Sequence, residues 1–210
     1  MDNIGEYLER TKSAVVKLFE AYDTYWELLQ KPEMPTLPLM GNDDSLIKWE
    51  SDNKEILEER IKREKQFLFE SFAMSTLKGT ILQFAYWGIE KFSKNNVVPE
   101  KFKDIIEPIS TAVKFCIGRD YDGIPIGLII YAGRNQAIHF NEQRLRPVSS
   151  RVFEMLTTWY SPTLKKWMKS DYFDLDNPNL INYAENICHI LDWNSYNAYE
   201  KDMRQMLSAK

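Results

Sequence analysis

The sequence is poor in cysteine and histidine, which limits the kinds of site it can form. Its 210 residues include 2 cysteines and 2 histidines. Cys116 and Cys188 lie in separate apolar stretches without a Cys-x-x-Cys spacing, so neither a disulfide framework nor a zinc site is indicated. We interpret both as small core residues of a protein in a reducing compartment.

Long hydrophobic runs and an export signal are also missing from the sequence. The longest apolar stretch, 124–132, is interrupted by Pro125 and Gly127 and is too short to cross a bilayer. The first residues, Met-Asp-Asn-Ile-Gly-Glu, do not form a basic region followed by an apolar one. We therefore expect a cytoplasmic protein that does not associate with membranes.

The chain has no overall excess of positive charge. Its net charge of −4 argues against a protein that coats nucleic acid nonspecifically. Residues 133–170, however, carry seven Lys and Arg against two Glu, and acidic regions flank them. This basic segment suits a specific anionic ligand, and it equally suits a solvated helix face. Both interpretations stay open.

The spacing of apolar residues predicts an all-α fold, a bundle of long antiparallel helices with little or no sheet. We expect a single domain over 1–210, in which 1–45 form an N-terminal helix with a proline-rich connector and 46–210 form the helical core. Prolines and turn residues delimit the predicted helices. These cover 6–30, 52–93, 99–117, 125–146, 148–160, 162–169 and 178–207.

One segment admits two local structures. Residues 124–131 are rich in isoleucine and could form a strand that leads through Gly133 into a helix beginning at Arg134. Because no second convincing strand is available to pair with it, we favour a helix that begins near Pro125.

The tryptophans mostly fall at helical spacing among other apolar residues. We expect them in the core or in a dimer interface rather than on base-stacking surfaces, although the sequence leaves both uses open. The six are Trp26, Trp49, Trp87, Trp159, Trp167 and Trp193.

The run Arg134-Asn135-Gln136-Ala137-Ile138-His139 combines residue types that suit phosphodiester chemistry. Histidine moves protons near neutral pH, arginine offers a planar donor fork to a phosphate, and asparagine can orient the imidazole or a ribose hydroxyl. On a helix turning about 100° per residue, His139 lies opposite the apolar stripe and about 140° from Arg134. We therefore expect His139 to lie off the main core stripe, on a face that could pack on another helix or on a second copy of the protein. Only the long Arg134 side chain or a second subunit could then bring the guanidinium and the imidazole to one substrate, and we favour a site that a second subunit completes.

The pattern Arg-Asn-x-x-x-His, late in a helical chain of this size, resembles the Arg-x4–6-His signature of the HEPN superfamily. The resemblance implies a homodimeric helical bundle and a metal-independent endoribonuclease without cofactor, of the kind found in toxin–antitoxin and phage-defence systems. Arg134 would contact the scissile phosphate and His139 would move protons as the ribose 2′-OH attacks, with Asn135 beside them. An antitoxin or regulatory protein is a possible partner.

Five basic residues near the motif are candidates for binding the RNA substrate. They are Arg144, Arg146, Arg151, Lys165 and Lys166. Arg144 and Arg146 are equally well explained as charges at the carboxyl end of a helix. The alternative function is a non-catalytic helical protein, a degenerate HEPN domain that binds a partner, a nucleotide or RNA.

Overall fold

The computed structural model describes residues 3–30, 36–37, 43–139, 145–170, 172–173 and 182–208. The predicted all-α class is confirmed, since most of these residues lie in helices and the sheet among them is limited to two small hairpins. No helix in the described ranges is long and apolar enough to cross a membrane. The α-helices are α1 (Ile4–Gln30), α2 (Asp43–Asp52), α3 (Lys54–Phe92), α4 (Ile126–Ile138), α5 (Pro147–Leu156), α6 (Ala184–Ile190) and α7 (Tyr196–Ser208).

The chain divides into two compact units. One contains the residues up to Phe19 together with those from Ser75 onward, and the other contains Glu20–Met74. In the second unit the Trp26 and Phe67 rings, on α1 and α3, lie 5.7 Å apart. That the whole chain forms one domain stays a prediction.

The core of the first unit is built from apolar residues spaced by threes and fours along its helices. On α3 these are Ile81, Leu82, Ala85 and Ile89, each fully buried. Burying one such aliphatic side chain stabilises the fold by about 2 kcal/mol before the entropy of ordering is subtracted. The predicted helices over 6–30 and 52–93 are confirmed as α1 and α3. The helix α2, which ends just before α3 begins, was not predicted.

The helix predicted over 99–117 is wrong. Two short 3-10 helices, Glu100–Phe102 and Thr111–Phe115, occupy this segment instead. Pro108 lies between them and has no N–H to continue a helix, which explains the interruption. Ile109, an apolar residue within the predicted helix, is 93% exposed.

The helix predicted over 162–169 is also wrong. The chain forms a hairpin of β3 (Thr158–Ser161) and β4 (Lys166–Lys169), which pair antiparallel. Threonine and aromatic residues favour strands, and Pro162 begins the connection. The helix predicted over 148–160 is confirmed as α5 but stops at Leu156, where β3 follows after one residue.

The single helix predicted over 178–207 is replaced by α6 and α7, while positions 177–178 lie outside the described residues. Between the two helices Asp192 adopts a left-handed conformation with φ of 57°. Aspartate tolerates this conformation better than most residues, so the chain turns here without a glycine or proline.

The helical interpretation of 126–138 is confirmed as α4, and only Ile124–Pro125 forms a strand, β2, paired with β1 (Asp120–Tyr121). The predicted end near 146 is wrong. α4 ends at Ile138, and His139 caps it with a φ of −109°. Positions 140–144 lie outside the described residues.

Of the tryptophans predicted in the core or in a dimer interface, Trp193 is a core residue and the other five are not. Their place in a dimer interface stays a prediction. The Trp193 side chain is 1% exposed, whereas Trp167 is 68% exposed. Trp49 is half-buried. The others are largely exposed, at 41% for Trp26, 49% for Trp87 and 44% for Trp159.

Candidate active site at the end of α4

α4 is buried on almost every side, including the face that an ideal helix shares with His139. Leu128 and Ala132, which the helical wheel places on that face, are fully buried, and Asn135 is 9% exposed. The cause is packing from several directions, by α5, by α6 and by the 3-10 helix Thr111–Phe115. Tyr131 and Arg134 are half-buried, and the helix is most accessible in its last turn, where Ile138 is exposed, followed by the half-buried His139.

The guanidinium of Arg134 is held on three sides. Its Nε donates to Oε1 of Gln83 at 2.7 Å, and its Nη1 donates to Oδ1 of Asn135 at 3.0 Å. Its Cζ lies 4.4 Å from the centre of the Tyr86 ring, a distance at which the cation is attracted to the ring face. Among the described residues no hydrogen bond from Nη2 is present, which leaves that edge of the fork for an anion.

Tyr86 anchors this arrangement in the core. Its ring stacks on Tyr131 at 6.0 Å and touches Phe115 at 4.6 Å, and its hydroxyl donates to Glu90 at 3.3 Å. Burial, followed by the nearby carboxylate of Glu90, raises the pKa of Tyr86 to about 12 against the opposing effect of Arg134. The phenol therefore stays protonated at neutral pH and presents a neutral ring to the guanidinium.

Asn135 is connected to both of the other motif residues. Its side-chain Oδ1 accepts the hydrogen bond from Arg134, and its backbone carbonyl accepts the N–H of His139 at 3.0 Å. Because His139 has left the helical conformation, the angle of about 140° expected from an ideal helix no longer describes where its imidazole points. The structure thus brings Arg134 and Asn135 into direct contact and ties His139 to them through the backbone.

The sequence did not identify the α3 residues that hold Arg134. Gln83, Tyr86 and Glu90 lie three and four positions apart, so they share one face of α3. A polar stripe within the apolar half of that helix was the one available signal. The Nε2 of Gln83 is buried, and among the described residues it has no hydrogen-bond partner.

Gln136, inside the motif, has a structural role. Its side chain is 6% exposed, and its Oε1 accepts the backbone N–H of Tyr183 at 3.0 Å, just before α6. This contact fixes the last turn of α4 against the carboxyl-terminal part of the chain.

The five candidate substrate-binding residues do not form one cluster with defined contacts. Arg144 lies outside the described residues. Arg146 is exposed at the start of α5, and Arg151 on that helix pairs with Asp104 at 2.7 Å. Both side chains of this pair are largely exposed, so the pair contributes little stability. Lys165 and Lys166 are exposed in the β3–β4 hairpin.

In the part of the chain that the structure describes, no three His, Cys, Asp or Glu side chains lie close enough to hold a metal ion together. Comparisons with protein-family models, with curated proteins and with solved structures find no match to this chain.

Proposed function

We propose that this chain is a metal-independent endoribonuclease that cleaves RNA by attack of a ribose 2′-OH and acts as a homodimer. The observation that carries the proposal is the double connection of Asn135, to the guanidinium of Arg134 and to the backbone of His139, at the accessible end of α4. The resemblance to the HEPN superfamily supports the same assignment, and it implies a cytoplasmic toxin or phage-defence enzyme with an antitoxin as partner.

Each residue has a defined task in this reaction. The free edge of the Arg134 fork binds the non-bridging oxygens of the scissile phosphate and stabilises the charge that develops there. His139 accepts the proton of the 2′-OH as O2′ attacks phosphorus. The P–O5′ bond breaks, O5′ leaves with a proton, and the products carry a 2′,3′-cyclic phosphate and a 5′-OH. Asn135 holds the guanidinium of Arg134 in a fixed position relative to the end of α4.

A second copy of the chain completes the proton transfers. One imidazole is needed to remove the 2′ proton, and a second acid is needed to protonate O5′. The second His139 of a homodimer supplies that acid if the ends of the two α4 helices meet at one cleft. Sedimentation of the wild type is expected to give a dimer at the concentrations at which it cleaves.

One observation favours the alternative of a non-catalytic RNA- or nucleotide-binding protein. Gln83, Asn135 and Tyr86 already engage the guanidinium of Arg134, and a purely structural arginine would be held in the same way. The two functions differ in whether His139 is required for bond cleavage.

The decisive experiment incubates a labelled RNA with the wild type and with His139→Ala, each with and without a chelator. His189→Ala is the matched control because His189, the other histidine, is exposed on α6 against Tyr172. We expect cleavage by the wild type and by His189→Ala in the presence of chelator. Without its general base, His139→Ala should cleave at least about a hundredfold more slowly. The fragments should carry 2′,3′-cyclic phosphate ends.

Intact RNA after incubation with the wild type would overturn the catalytic proposal, as would equal cleavage by His139→Ala. If the wild type leaves RNA intact but binds it, the non-catalytic alternative is supported. Arg134→Lys separates the two roles of that residue, since lysine keeps the charge but loses the fork. We expect it to remain folded and to lose most of the cleavage rate.

A further inference from the structure

The β3–β4 hairpin presents a face of exposed side chains. Tyr160 on β3 lies opposite Trp167 on β4, and Thr158 lies opposite Lys169. Because side chains alternate along a strand, these four share one face of the hairpin. All four are exposed, whereas Ser161 on the opposite face is buried. The rest of the opposite face is mixed, since Met168 is half-buried whereas Trp159 and Lys166 are exposed. The aromatic face is thus exposed at all four positions, and the other face is buried only in part.

The aromatic pair on this face is oriented rather than loose. The Tyr160 and Trp167 ring centres lie 5.7 Å apart with an angle of 67° between the ring planes, an edge-to-face contact. Trp167 is nevertheless 68% exposed and Tyr160 is 48% exposed. The contact thus restricts the indole while leaving most of its surface accessible to a flat partner.

Positive charge accompanies the rings. Lys165 is exposed in the connection that leads into β4 and has a left-handed φ of 49°. Lys169 shares the face of Trp167, whereas Lys166, paired with Ser161, lies on the opposite face. No Asp or Glu occurs anywhere in positions 155–170 of the sequence, which contain three lysines. In a chain with a net charge of −4, this segment is a local exception.

We propose that the β3–β4 hairpin binds single-stranded RNA, with a base stacked on Trp167 and a backbone phosphate beside Lys165. A nucleotide pairs a flat apolar base with an anion, and the hairpin offers the complement of both parts within a few residues. Single strands are favoured over duplexes because a duplex already stacks its bases on each other. The choice of RNA rests on the proposed function, whereas the stacking geometry does not.

The test measures binding rather than cleavage. A labelled single-stranded oligonucleotide with 2′-O-methyl groups lacks the attacking hydroxyl, so its affinity can be measured by fluorescence anisotropy whether or not the chain is an enzyme. We expect Trp167→Ala to weaken binding about tenfold, the effect of losing one stacked base. Trp167→Phe keeps an aromatic face and should weaken it less than about threefold.

Two control variants isolate the hairpin. Trp87→Ala removes an exposed tryptophan of α3, 49% exposed, and should leave the affinity unchanged. Replacing Lys165 by Gln should reduce the slope of log affinity against log salt by about 0.7, the value for one phosphate contact on a single strand. Replacing the exposed Lys17 in the same way should not. Since Trp167 is mostly in water, its variants should unfold at the wild-type temperature.

Equal affinity of the wild type and Trp167→Ala for the oligonucleotide would overturn the inference, as would equal loss in Trp87→Ala. It would also fail if Trp167→Ala abolished binding to anionic lipid vesicles, or dissociated a dimer, while RNA affinity stayed unchanged. Binding that depends on Trp167 without any cleavage would contradict the proposed enzyme and support RNA binding by the hairpin. If cleavage required His139 while Trp167→Ala changed neither cleavage nor oligonucleotide affinity, the enzyme would be supported and the hairpin inference overturned.

Discussion

Arg134 donates a 2.7 Å hydrogen bond from its Nε to the side-chain carbonyl of Gln83, a residue 51 positions earlier on α3. The bond connects two helices at the point where α4 becomes accessible. It fixes the direction of the guanidinium before any substrate arrives, which lowers the entropy lost on binding a phosphate. Gln83 is therefore a positioning residue in the proposed reaction.

Replacing Gln83 tests this relationship. Gln83→Leu removes the acceptor of the Arg134 bond and also removes the unpartnered Nε2. Because these two effects on stability oppose each other, we expect the free energy of unfolding to change by less than about 1 kcal/mol. The RNA cleavage rate should fall about tenfold or more while KM changes little, since the guanidinium is retained but less well oriented.

Gln83→Glu is the matched control for Gln83→Leu, because it restores an acceptor for Arg134. A carboxylate keeps the acceptor for Arg134, strengthens the bond by its charge and has no donor to leave unpartnered. Urea unfolding near neutral pH should show a gain of about 1 kcal/mol over wild type. Arg134 should lower the pKa of the new carboxyl, so the gain should disappear as pH falls through that depressed value, below about 4. Loss of stability at neutral pH in this variant would contradict the described geometry.

The sequence predicted the parts of this site that depend on local periodicity. α1 and α3 follow from apolar residues at threes and fours, and α4 follows from the isoleucines after Pro125. The bond between Gln83 and Arg134 could not be predicted, because nothing in one sequence says which face of α3 meets α4. The end of α4 at Ile138 was missed for a related reason. The apolar and polar pattern continues to Arg146, and helix ends depend on tertiary contacts that periodicity does not record.

The β3–β4 hairpin was not predicted, for a different reason. Segments of four residues are too short for a period of 2 to be distinguished from a period of 3.6. The preference of Trp159 and Tyr160 for strands was available in the sequence, but it was outweighed by the helical pattern on either side. The exposure of Trp167 could not be read from its residue type, since tryptophan is more often buried.

Gly127, in the first turn of α4, should not tolerate a side chain. A Cβ there would collide with the backbone carbonyl of Phe115 and lie 3.1 Å from that of Ile117, and backbone cannot move aside as a flexible side chain can. The N–H of Gly127 also donates to the Ile117 carbonyl at 3.0 Å. We expect Gly127→Ala to lower the free energy of unfolding in urea by about 3 kcal/mol.

Gly5→Ala is the control for that substitution. A Cβ at Gly5 would meet only side-chain atoms, of which the nearest is Oδ1 of Asn3 at 3.2 Å. Alanine is the better helix former, so this variant should unfold at or above the wild-type urea concentration. If Gly127→Ala were as stable as Gly5→Ala, the close packing of α4 on the segment 115–117 would be disproved.

Asp202 on α7 should be more important for stability than its single charge suggests. Its carboxylate accepts the buried indole N–H of Trp193 at 2.9 Å and two longer bonds from Arg119, at 3.3 and 3.4 Å. Asp202→Ala leaves the indole N–H buried without an acceptor and should cost about 3 kcal/mol. Asp202→Asn keeps an acceptor oxygen for Trp193 and should cost about 1 kcal/mol. Equal costs in thermal or urea unfolding would rule out the hydrogen bond to Trp193 as the cause.

Stability should fall steeply at alkaline pH because of buried tyrosines. Burial raises the pKa of Tyr7 to about 12, and its hydroxyl donates to the Phe84 carbonyl at 2.6 Å. The pKa of Tyr86 is raised to about 12 as well. A tyrosine in the unfolded chain has a pKa of about 10. Between this pH and about 12, the folded chain therefore holds protons that the unfolded chain has lost. The contribution of these two tyrosines to stability is therefore unaffected below about 10 and decreases as pH rises through this window.

A Tyr7 variant is needed to identify the share of Tyr7 in this decrease, because burial also raises the pKa of Tyr199 and of the Cys116 and Cys188 thiols. Each of the two rings should contribute about 2 to 3 kcal/mol to the loss between pH about 10 and about 12, measured by urea unfolding at a series of pH values. Tyr7→Phe should unfold about 1 kcal/mol more easily near neutral pH, where it lacks the bond to Phe84, yet lose less stability on going alkaline. Tyr160→Phe removes an exposed phenol and should leave the alkaline slope of the wild type in place. A slope unaffected by Tyr7→Phe would show that the Tyr7 hydroxyl ionises freely in the folded chain, contrary to its burial beneath α3.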